Sequence, residues 1–345
     1  MSRRAVTLLI AVVGFLACLV IVFAVPVPYV ALIPGPTYNT LGPLDGKPVI
    51  QISGHRTFSA AGHLNMVTVS YIGGPGANPP FSILAAIQAW LSPHEAVVPQ
   101  EELFPAGKTQ QQVVKQDSQE MASSQQAAQA AALCQLGIAF TTVDTIASTI
   151  NGLPADGRLH RGDVITAVDG RRVTCRSSAA SMIKARPAGN RVVLTVQRGG
   201  TRHTVGLRTA SYKGQPVIGV NVIESFKFPF KVKINIGNVG GPSAGMMFAL
   251  AIIDKLTPAN LTGGRFIAGT GEIEVGGTVD PIGGIQQKMA AARAAGATVF
   301  LAPAGNCADT QGAVPAGLTV VKVSTLRGAI AALKDLKAGK PAPAC

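Results

Sequence analysis

The first apolar segment of the chain is long enough to cross a membrane. Residues 5–25 are interrupted only by Thr7 and Gly14, and Arg3 and Arg4 precede them. A spanning helix needs about 20 residues, whereas the apolar core of a signal peptide is usually about 7–15 residues long. Basic residues ahead of a span favour a cytoplasmic N-terminus. The pattern predicts an uncleaved single-pass anchor within residues 1–32 and an extracytoplasmic remainder, with a cleaved signal peptide as the alternative.

Short strand-like and helical patterns alternate over residues 33–137. The Pro/Gly-rich residues 26–43 predict a stiff linker, because proline and glycine interrupt helices. Residues 82–90 carry apolar side chains at helical spacing, and the Gln/Ala-rich residues 110–136 predict a long helix closed by Gly137. This part of the chain is therefore predicted as a mixed α/β region.

Two further units follow. Residues 138–212 place strands around Gly-Asp, Asp-Gly and Gly-Gly turns, which predicts a small β domain with one short helix at 178–186. Residues 213–338 alternate strands with helices at 244–255 and 285–295, and 339–345 form a tail. The fold class predicted for the whole chain is α+β multidomain.

The net charge of the chain and its distribution limit the classes of molecule that the protein is expected to bind. The net charge of the 345 residues is +13, and residues 151–213 hold twelve basic and three acidic side chains. The basic residues are scattered without interleaved aromatic residues, and nucleic acid is a poor partner outside the cytoplasm, so no nucleic-acid site is predicted. A solvated basic face is the simplest interpretation, and anionic lipid headgroups or a peptide carboxylate are the alternatives.

Cysteine and glycine spacing exclude two kinds of site. The chain has no C-x-x-C, so neither a zinc nor a thioredoxin site is predicted. A phosphate-binding loop ending at residues 107–109 would need glycine where Glu102 stands, so no ATP site and no cofactor are predicted.

On the oxidising side of a membrane the four cysteines after the anchor predict disulfides, and sequence position favours Cys307–Cys345 and Cys134–Cys175 among three pairings.

Ser243 is the candidate nucleophile. It follows a glycine turn in Gly-Pro-Ser-Ala-Gly at residues 241–245, at the predicted start of a helix, where backbone N–H groups can stabilise an oxyanion. Pro242 has no N–H, so the candidate donors are the amides of Ser243 and of Gly240 or Gly241. A simple helix cap is the structural alternative. All five histidines precede Ser243, which excludes the α/β-hydrolase order, and nothing near them favours a trypsin-like arrangement.

Lys288 is the candidate base. On a helix beginning at Ile285 it shares one face with Ile285, Met289, Ala292 and Gly296, so it points into an apolar stripe. Helix lysines usually extend to solvent, but burial disfavours the charged amine and lowers its pKa. A neutral amine beside Ser243 can accept the hydroxyl proton and later donate it to the leaving amine.

Two family resemblances cover most of the chain after the predicted linker region. Residues 154–170 resemble PDZ domains of bacterial secreted proteases, which implies a peptide added as a strand beside the short helix, with 140–144 as a candidate carboxylate-binding loop. Residues 241–245, 270–273 and 281–288 resemble, in order, the proteolytic domain of Lon proteases. That resemblance implies Ser243 as nucleophile and Lys288 as base. It also implies that Thr270 supports the lysine by a hydrogen bond and that Glu272 belongs to the same motif.

The arrangement resembles membrane-anchored PDZ–Lon proteins of bacteria, without the ATPase domain of Lon proteases. It implies an ATP-independent serine endopeptidase that cleaves unfolded or exposed polypeptides, with the PDZ unit recruiting or gating them. Homo-oligomerisation is left open. The alternatives are a PDZ scaffold with a vestigial protease fold and a factor that processes only itself or one partner.

Overall fold

The structure is a computed structural model, and it describes residues 3–212 and 214–345. Met1 and Ser2, at the start of the predicted anchor region, and Lys213, the predicted first residue of the last domain, lie outside the described residues.

Helices and strands alternate along most of the chain. The helices are α1 (Arg3–Ala24), α2 (Ile83–Leu91), α3 (Gln100–Leu103), α4 (Gln110–Leu136), α5 (Ala179–Lys184), α6 (Gly245–Leu256), α7 (Ile285–Ala294), α8 (Cys307–Thr310) and α9 (Leu326–Lys337). The strands are β1 (Tyr29–Asn39), β2 (Pro43–Leu44), β3 (Lys47–Pro48), β4 (Ile50–Ser53), β5 (His63–Gly73), β6 (Ala96–Pro99), β7 (Thr141–Thr149), β8 (Val164–Val168), β9 (Arg171–Arg172), β10 (Arg191–Arg198), β11 (Thr201–Arg208), β12 (Ala210–Tyr212), β13 (Gln215–Val217), β14 (Val220–Lys227), β15 (Lys231–Ile234), β16 (Phe266–Gly269), β17 (Glu272–Ile273), β18 (Val279–Asp280), β19 (Val299–Pro303) and β20 (Thr319–Val323). The predicted α+β class is confirmed.

α1 is the predicted apolar helix. Its 22 residues extend about 33 Å, slightly more than a hydrocarbon core of about 30 Å. Within the described residues it is the one helix long and apolar enough to cross a membrane, and none of its 21-residue apolar span is buried against the rest of the chain. A signal sequence meets the same criterion.

The main sheet has the strand order β20-β19-β16-β5-β1-β6. Alternating side chains divide between its two faces. Ile267 and Leu301 face a core shared with α4, α6 and α9, whereas Ala268 and Phe300 face a second core beneath α7. The sheet therefore separates the helix that follows Ser243 from the helix that carries Lys288.

Residues 33–137 are an integral part of this layered body. They supply β1, β5 and β6 of the main sheet, and β5 pairs in parallel with β16 from the far end of the chain. α4 packs against α6 in the same core. Residues 33–137, which the sequence analysis treats as a separate region, therefore share one sheet and one core with the predicted last domain. We call residues 26–137 and 228–345 together the main body.

The prediction of a stiff linker at residues 26–43 was wrong, because much of this segment forms the strand β1. This strand lies inside the sheet between β5 and β6, and the ladder with β5 shifts register between Pro34 and Thr37. This irregularity accommodates prolines that would interrupt a regular ladder. A Cβ on Gly35 would clash with the Thr68 hydroxyl oxygen, so the close approach of the two strands requires glycine there.

The long helix α4 matches its predicted bounds. Thr109 and Gln112 form a reciprocal capping box at its start, and Gly137 adopts the left-handed conformation at its end, with φ of 70°. These three residues fix both ends of the helix locally, which explains why the sequence alone locates it.

The unit inserted between the two halves of the main body has its own sheet and core. Its sheet has the order β11-β10-β8-β7-β14, and β9 pairs with β8. Ile146, Leu159 and Leu194 are buried in its separate core. β14 follows the predicted boundary at Lys213 yet pairs with β7, so the sheet of this inserted unit extends to Lys227. We call residues 138–227 the inserted unit.

Both predicted disulfides are present. Cys134–Cys175 ties the end of α4 to the inserted unit, and Cys307–Cys345 ties α8 to the C-terminal segment. Among the described residues only Cys18, within α1, is a free cysteine.

Removal of the second disulfide is expected to destabilise the main body. The bridge closes a loop with a sequence separation of 38 residues. Opening a loop of that length costs about 2–4 kcal/mol, because the unfolded chain gains freedom. The double variant Cys307→Ser/Cys345→Ser should therefore unfold at a lower urea concentration than the oxidised wild type. Under reducing conditions the two proteins should coincide, and equal midpoints under oxidising conditions would contradict the prediction.

Candidate active site

α4 holds the loop that carries Ser243. The N–H of Gly241 donates to the carbonyl of Asp117 at 3.0 Å, and the hydroxyl of Ser124 donates to the carbonyl of Pro242 at 2.8 Å. A Cβ on Gly240 would lie 2.6 Å from the Asp117 Cβ, so this close packing needs glycine. The loop is therefore positioned by a helix more than a hundred residues earlier in the chain.

The carbonyl of Ser243 is held from the other side by the end of β16. It accepts hydrogen bonds from the N–H of Gly271 at 2.7 Å and from the Thr270 hydroxyl at 2.9 Å. The N–H of Met246 donates in turn to the carbonyl of Gly271 at 3.0 Å. Ser243 is half-buried, so its main chain is fixed while its side chain is not sealed from solvent.

The helix after Ser243 begins later than predicted. α6 starts at Gly245 with Ala244 as its N-cap, so Pro242 lies before the first turn. Gly241 has φ of +82°, a conformation that glycine adopts without strain, and its N–H is already used by Asp117. Within residues 3–212 and 214–345 the amides of Gly240 and Ser243 donate no hydrogen bond. Both amides are therefore free to donate, and their role as oxyanion donors stays a prediction.

Lys288 lies on the buried face of α7, as the stripe predicts. Its side chain is only 4 % exposed, and Ile285, Met289 and Ala292 beside it are buried. No ion pair with Lys288 occurs among the described residues. Burial without a countercharge disfavours the ammonium form and lowers the pKa of Lys288 from 10.5 to about 8.

Thr270 and Glu272 do not contact Lys288 through a hydrogen bond in the described part of the chain. Thr270 is buried and donates to the Ser243 carbonyl, so its observed contact is with the nucleophile loop. Likewise, no hydrogen bond joins the Ser243 and Lys288 side chains in the described ranges. Catalytic contacts often tighten only when substrate binds, so the pairing of Ser243 with Lys288 stays a prediction.

Acidic side chains lie on α4 and on the strand pair β17–β18, which adjoins α4. Glu272 is exposed on β17 opposite Asp280 on β18, and partial burial together with Asp280, Glu120 and Glu274 raises its pKa. Partial burial and then Glu120 raise the pKa of Asp117. These acids repel one another, so acidic groups cluster here in a chain whose overall charge is positive.

Asp117 and Ser124 are the residues that the sequence analysis missed. They stand seven residues apart on α4, which is about two helical turns, so they share one face. Ser124 acts through its hydroxyl, so a polar side chain on a Gln/Ala-rich helix was a signal there, whereas Asp117 acts through its main-chain carbonyl, which the sequence does not distinguish. The sequence does not reveal which loop they hold, because their partners are brought near only by the packing of α4 on α6.

The inserted unit differs from the expected peptide groove. β14 pairs antiparallel with β7 from Thr141 to Thr149, so the chain itself occupies the strand edge at which an added peptide was expected. The candidate carboxylate-binding segment 140–144 lies largely within β7. Asp144 there is buried, and burial raises its pKa although the backbone N–H of Ala179 partly offsets the effect. Residues 141–144 form part of a paired strand and not of a loop, and their role in carboxylate binding stays a prediction.

Two domain families match the chain. Residues 230–333 match the C-terminal proteolytic domain of Lon protease (S16), and residues 134–209 match the PDZ domain. Among solved structures, the PDZ domain of the SdrC-like protein from Listeria monocytogenes is 25 % identical. That alignment covers 23 % of this chain and 86 % of that chain, with a TM-score of 0.21.

Curated relatives match over part of their length. Lon protease 1 of Bacillus subtilis is 31 % identical over 147 residues, which cover 41 % of this chain and 19 % of that protein. Lon protease of Roseiflexus castenholzii is 32 % identical over 129 residues, which cover 36 % and 16 % respectively. The chain thus spans less than a fifth of the length of these curated relatives.

Proposed function

We propose that this chain, which carries a PDZ domain followed by the C-terminal proteolytic domain of the Lon type, is a serine endopeptidase with a Ser243–Lys288 dyad. The observation that carries the proposal is Lys288, a lysine that is 4 % exposed, lacks an ion-pair partner in the described ranges and has a pKa of about 8. A buried amine that is partly neutral near pH 7 has the property that a general base needs. The domain matches support serine peptidase activity independently.

The reaction begins with a proton transfer. Neutral Lys288 accepts the proton of the Ser243 hydroxyl as Oγ attacks the carbonyl carbon of the scissile peptide bond. The resulting oxyanion accepts hydrogen bonds from the free amides of Ser243 and Gly240. The Lys288 ammonium then donates its proton to the leaving amine, which departs and leaves an ester on Ser243. Water, deprotonated by Lys288, attacks the ester and regenerates both side chains.

The location is part of the proposal. α1 is long enough to span, and Arg3 and Arg4 before its apolar run favour a cytoplasmic N-terminus. The disulfides Cys134–Cys175 and Cys307–Cys345 fit an oxidising compartment. We therefore place the proteolytic domain outside the cytoplasm, anchored by a single span.

The substrate class follows from the proposed mechanism. The sequence lacks the first glycine of a phosphate loop at Glu102, and neither matched family is an ATPase domain. Without ATP-driven unfolding, the substrates are polypeptide segments that are already extended. The PDZ domain recruits or gates them at the strand β14, which exposes Val222 and Ile223 at the sheet edge.

The full chain in lipid nanodiscs tests the proposal with an unfolded polypeptide as substrate and mass spectrometry of the fragments. Cleavage without ATP, unchanged when ATP is added, is the expected result. Cleavage that requires ATP would refute ATP independence alone. Absence of cleavage by the wild type under both conditions would refute the endopeptidase and favour the scaffold alternative.

The rate of cleavage is expected to rise with pH through the pKa of Lys288. Only the neutral amine is a base, so activity is lost as the pH falls below about 8. At pH 6 the neutral fraction, and hence kcat/KM, should be about a hundredfold below the plateau, since each pH unit below the pKa changes this fraction about tenfold. Initial rates from pH 6 to 9.5 measure this profile. A flat profile would contradict a titrating lysine.

A further inference from the structure

α2 is an apolar helix that the protein leaves uncovered. Its nine residues include Gln88 as the one strongly polar side chain and contain no charge, yet only Ala89 is buried. Trp90 is 75 % exposed and Leu91 71 %, and Ile87 is exposed as well. Soluble surfaces rarely present contiguous apolar side chains of this size, so such a helix marks an interaction surface.

The neighbouring strands extend the same apolar face. Ala31 of β1 packs in one core cluster with Ala89 of α2. Tyr29 stands two residues before Ala31, and Ile72 of β5 is its cross-strand partner, so both share its face of the sheet. Both are exposed. We call Tyr29, Ile72, Ile87, Trp90 and Leu91 together the α2 surface.

The α2 surface lies next to the end of α1. The N–H of Val27 donates to the carbonyl of Phe81 at 2.9 Å, and Pro26 forms a bridge with Ser82, the N-cap of α2. Since α1 extends about 33 Å, a spanning α1 ends near the boundary between hydrocarbon and headgroups. α2 therefore begins within a few residues of that boundary.

We infer that the α2 surface is embedded in the headgroup boundary of the phospholipid bilayer, as a second membrane contact beside α1. This inference rests on the membrane anchoring in the proposed function. Tryptophan and tyrosine are enriched at this depth, and an apolar helix lying in the interface buries a surface that water otherwise contacts. The contact orients the main body, with edge strand β6 beside α2 directed toward the membrane and β20 away from it.

Charge identifies the type of lipid contact. α2 carries no Lys or Arg, so the apolar contact does not depend on anionic headgroups. The α2 surface should therefore insert equally well into neutral phosphatidylcholine, and added salt should not release it.

Trp90 is the single tryptophan of the chain, so its fluorescence reports on the α2 surface alone. The full chain is reconstituted in phosphatidylcholine vesicles that carry brominated acyl chains, and flotation separates bound from free protein. We expect strong quenching of Trp90 by the brominated lipid and little quenching by aqueous acrylamide, both unchanged by salt. The matched control is Trp90→Phe/Val314→Trp, because Val314 is exposed in the segment before β20 and should respond only to acrylamide.

Each contrary outcome has a distinct meaning. Protein that floats with the vesicles while Trp90 responds only to acrylamide would overturn the inference and leave the anchor intact. Protection from both quenchers would identify a protein occupant, such as a second copy, and would also overturn it. Failure to float would refute the anchor and the inference with it, whereas proteolytic activity does not enter the measurement.

Discussion

Ser243→Ala is expected to abolish peptide-bond cleavage by the full chain. Loss of a hydrolase nucleophile costs about 10³-fold or more in kcat, and as much as about 10⁶-fold where nucleophile and base act as a unit. Initial rates on an unfolded, fluorescently labelled polypeptide, with the enzyme in nanodiscs, measure the loss. Retention of a tenth of the wild-type activity would exclude Ser243 as the nucleophile.

The Ser243→Ala variant tests the chemistry of the hydroxyl group and should not disturb the fold. The side chain of Ser243 forms no hydrogen bond within the described ranges, whereas its carbonyl holds the loop to Thr270 and Gly271. Alanine keeps those main-chain contacts, so the fold should be unchanged. Ser118→Ala is the matched control, because Ser118 is exposed on α4 and its hydroxyl donates only to the carbonyl of Val114. That variant should keep full activity.

Lys288→Arg is expected to be as inactive as Lys288→Ala, by about 10²–10⁴-fold, which is the usual contribution of a general base. The guanidinium group stays protonated at every accessible pH and cannot accept the Ser243 proton. The same nanodisc assay measures the rates, and substantial activity in Lys288→Arg would exclude Lys288 as the base. Lys255→Arg controls for bulk, because Lys255 is also partly buried and burial lowers its pKa. It lies at the end of α6 and should retain activity.

The Lys288→Met variant distinguishes loss of the general base from loss of folding stability, because its activity and its free energy of unfolding should change in opposite directions. Burial lowers the pKa of Lys288 from 10.5 to about 8, so below pH 8 folding is weakened by confining a charge. Methionine removes that charge and should raise the free energy of unfolding at pH 7 by up to about 3 kcal/mol. Between pH 8 and 10.5 the unfolded wild type binds more protons than the folded one, so its stability rises and the difference shrinks. An inactive, stabilised Lys288→Met would fit a base; a destabilised one would contradict the burial argument.

Local signals explain what the sequence predicted well. α4 has a capping box at one end and Gly137 at the other, and α7 has an apolar stripe that includes Lys288, so both helices and the burial of Lys288 follow from nearby residues. β1 did not follow from local signals, since two prolines conceal a strand that long-range pairing stabilises. The roles of Asp117 and Ser124 were also hidden, because their partners lie in a different part of the chain.

The position of the peptide groove in the PDZ domain could not be predicted from the sequence for a related reason. A motif read from residues 154–170 identifies the domain, but β14 lies beyond the motif and its pairing with β7 depends on how the chain returns to the main body. Chain segments outside the motif determine which sheet edges of the domain stay unpaired and can accept a peptide.

The pairing of β5 with β16 determines when the candidate active site forms during folding. His63 pairs with Phe266, and Ser124 holds a carbonyl 118 residues later, so both contacts join parts of the chain that are far apart in sequence. The hairpin β10–β11 of the inserted unit pairs strands that are neighbours in sequence, and such local pairings form faster than sequence-distant ones. The loop that carries Ser243 acquires its supports from α4 only after the two parts of the main body, residues 26–137 and 228–345, have come together. We therefore expect an incompletely folded chain to be inactive, because its Ser243 lies in a loop without those supports.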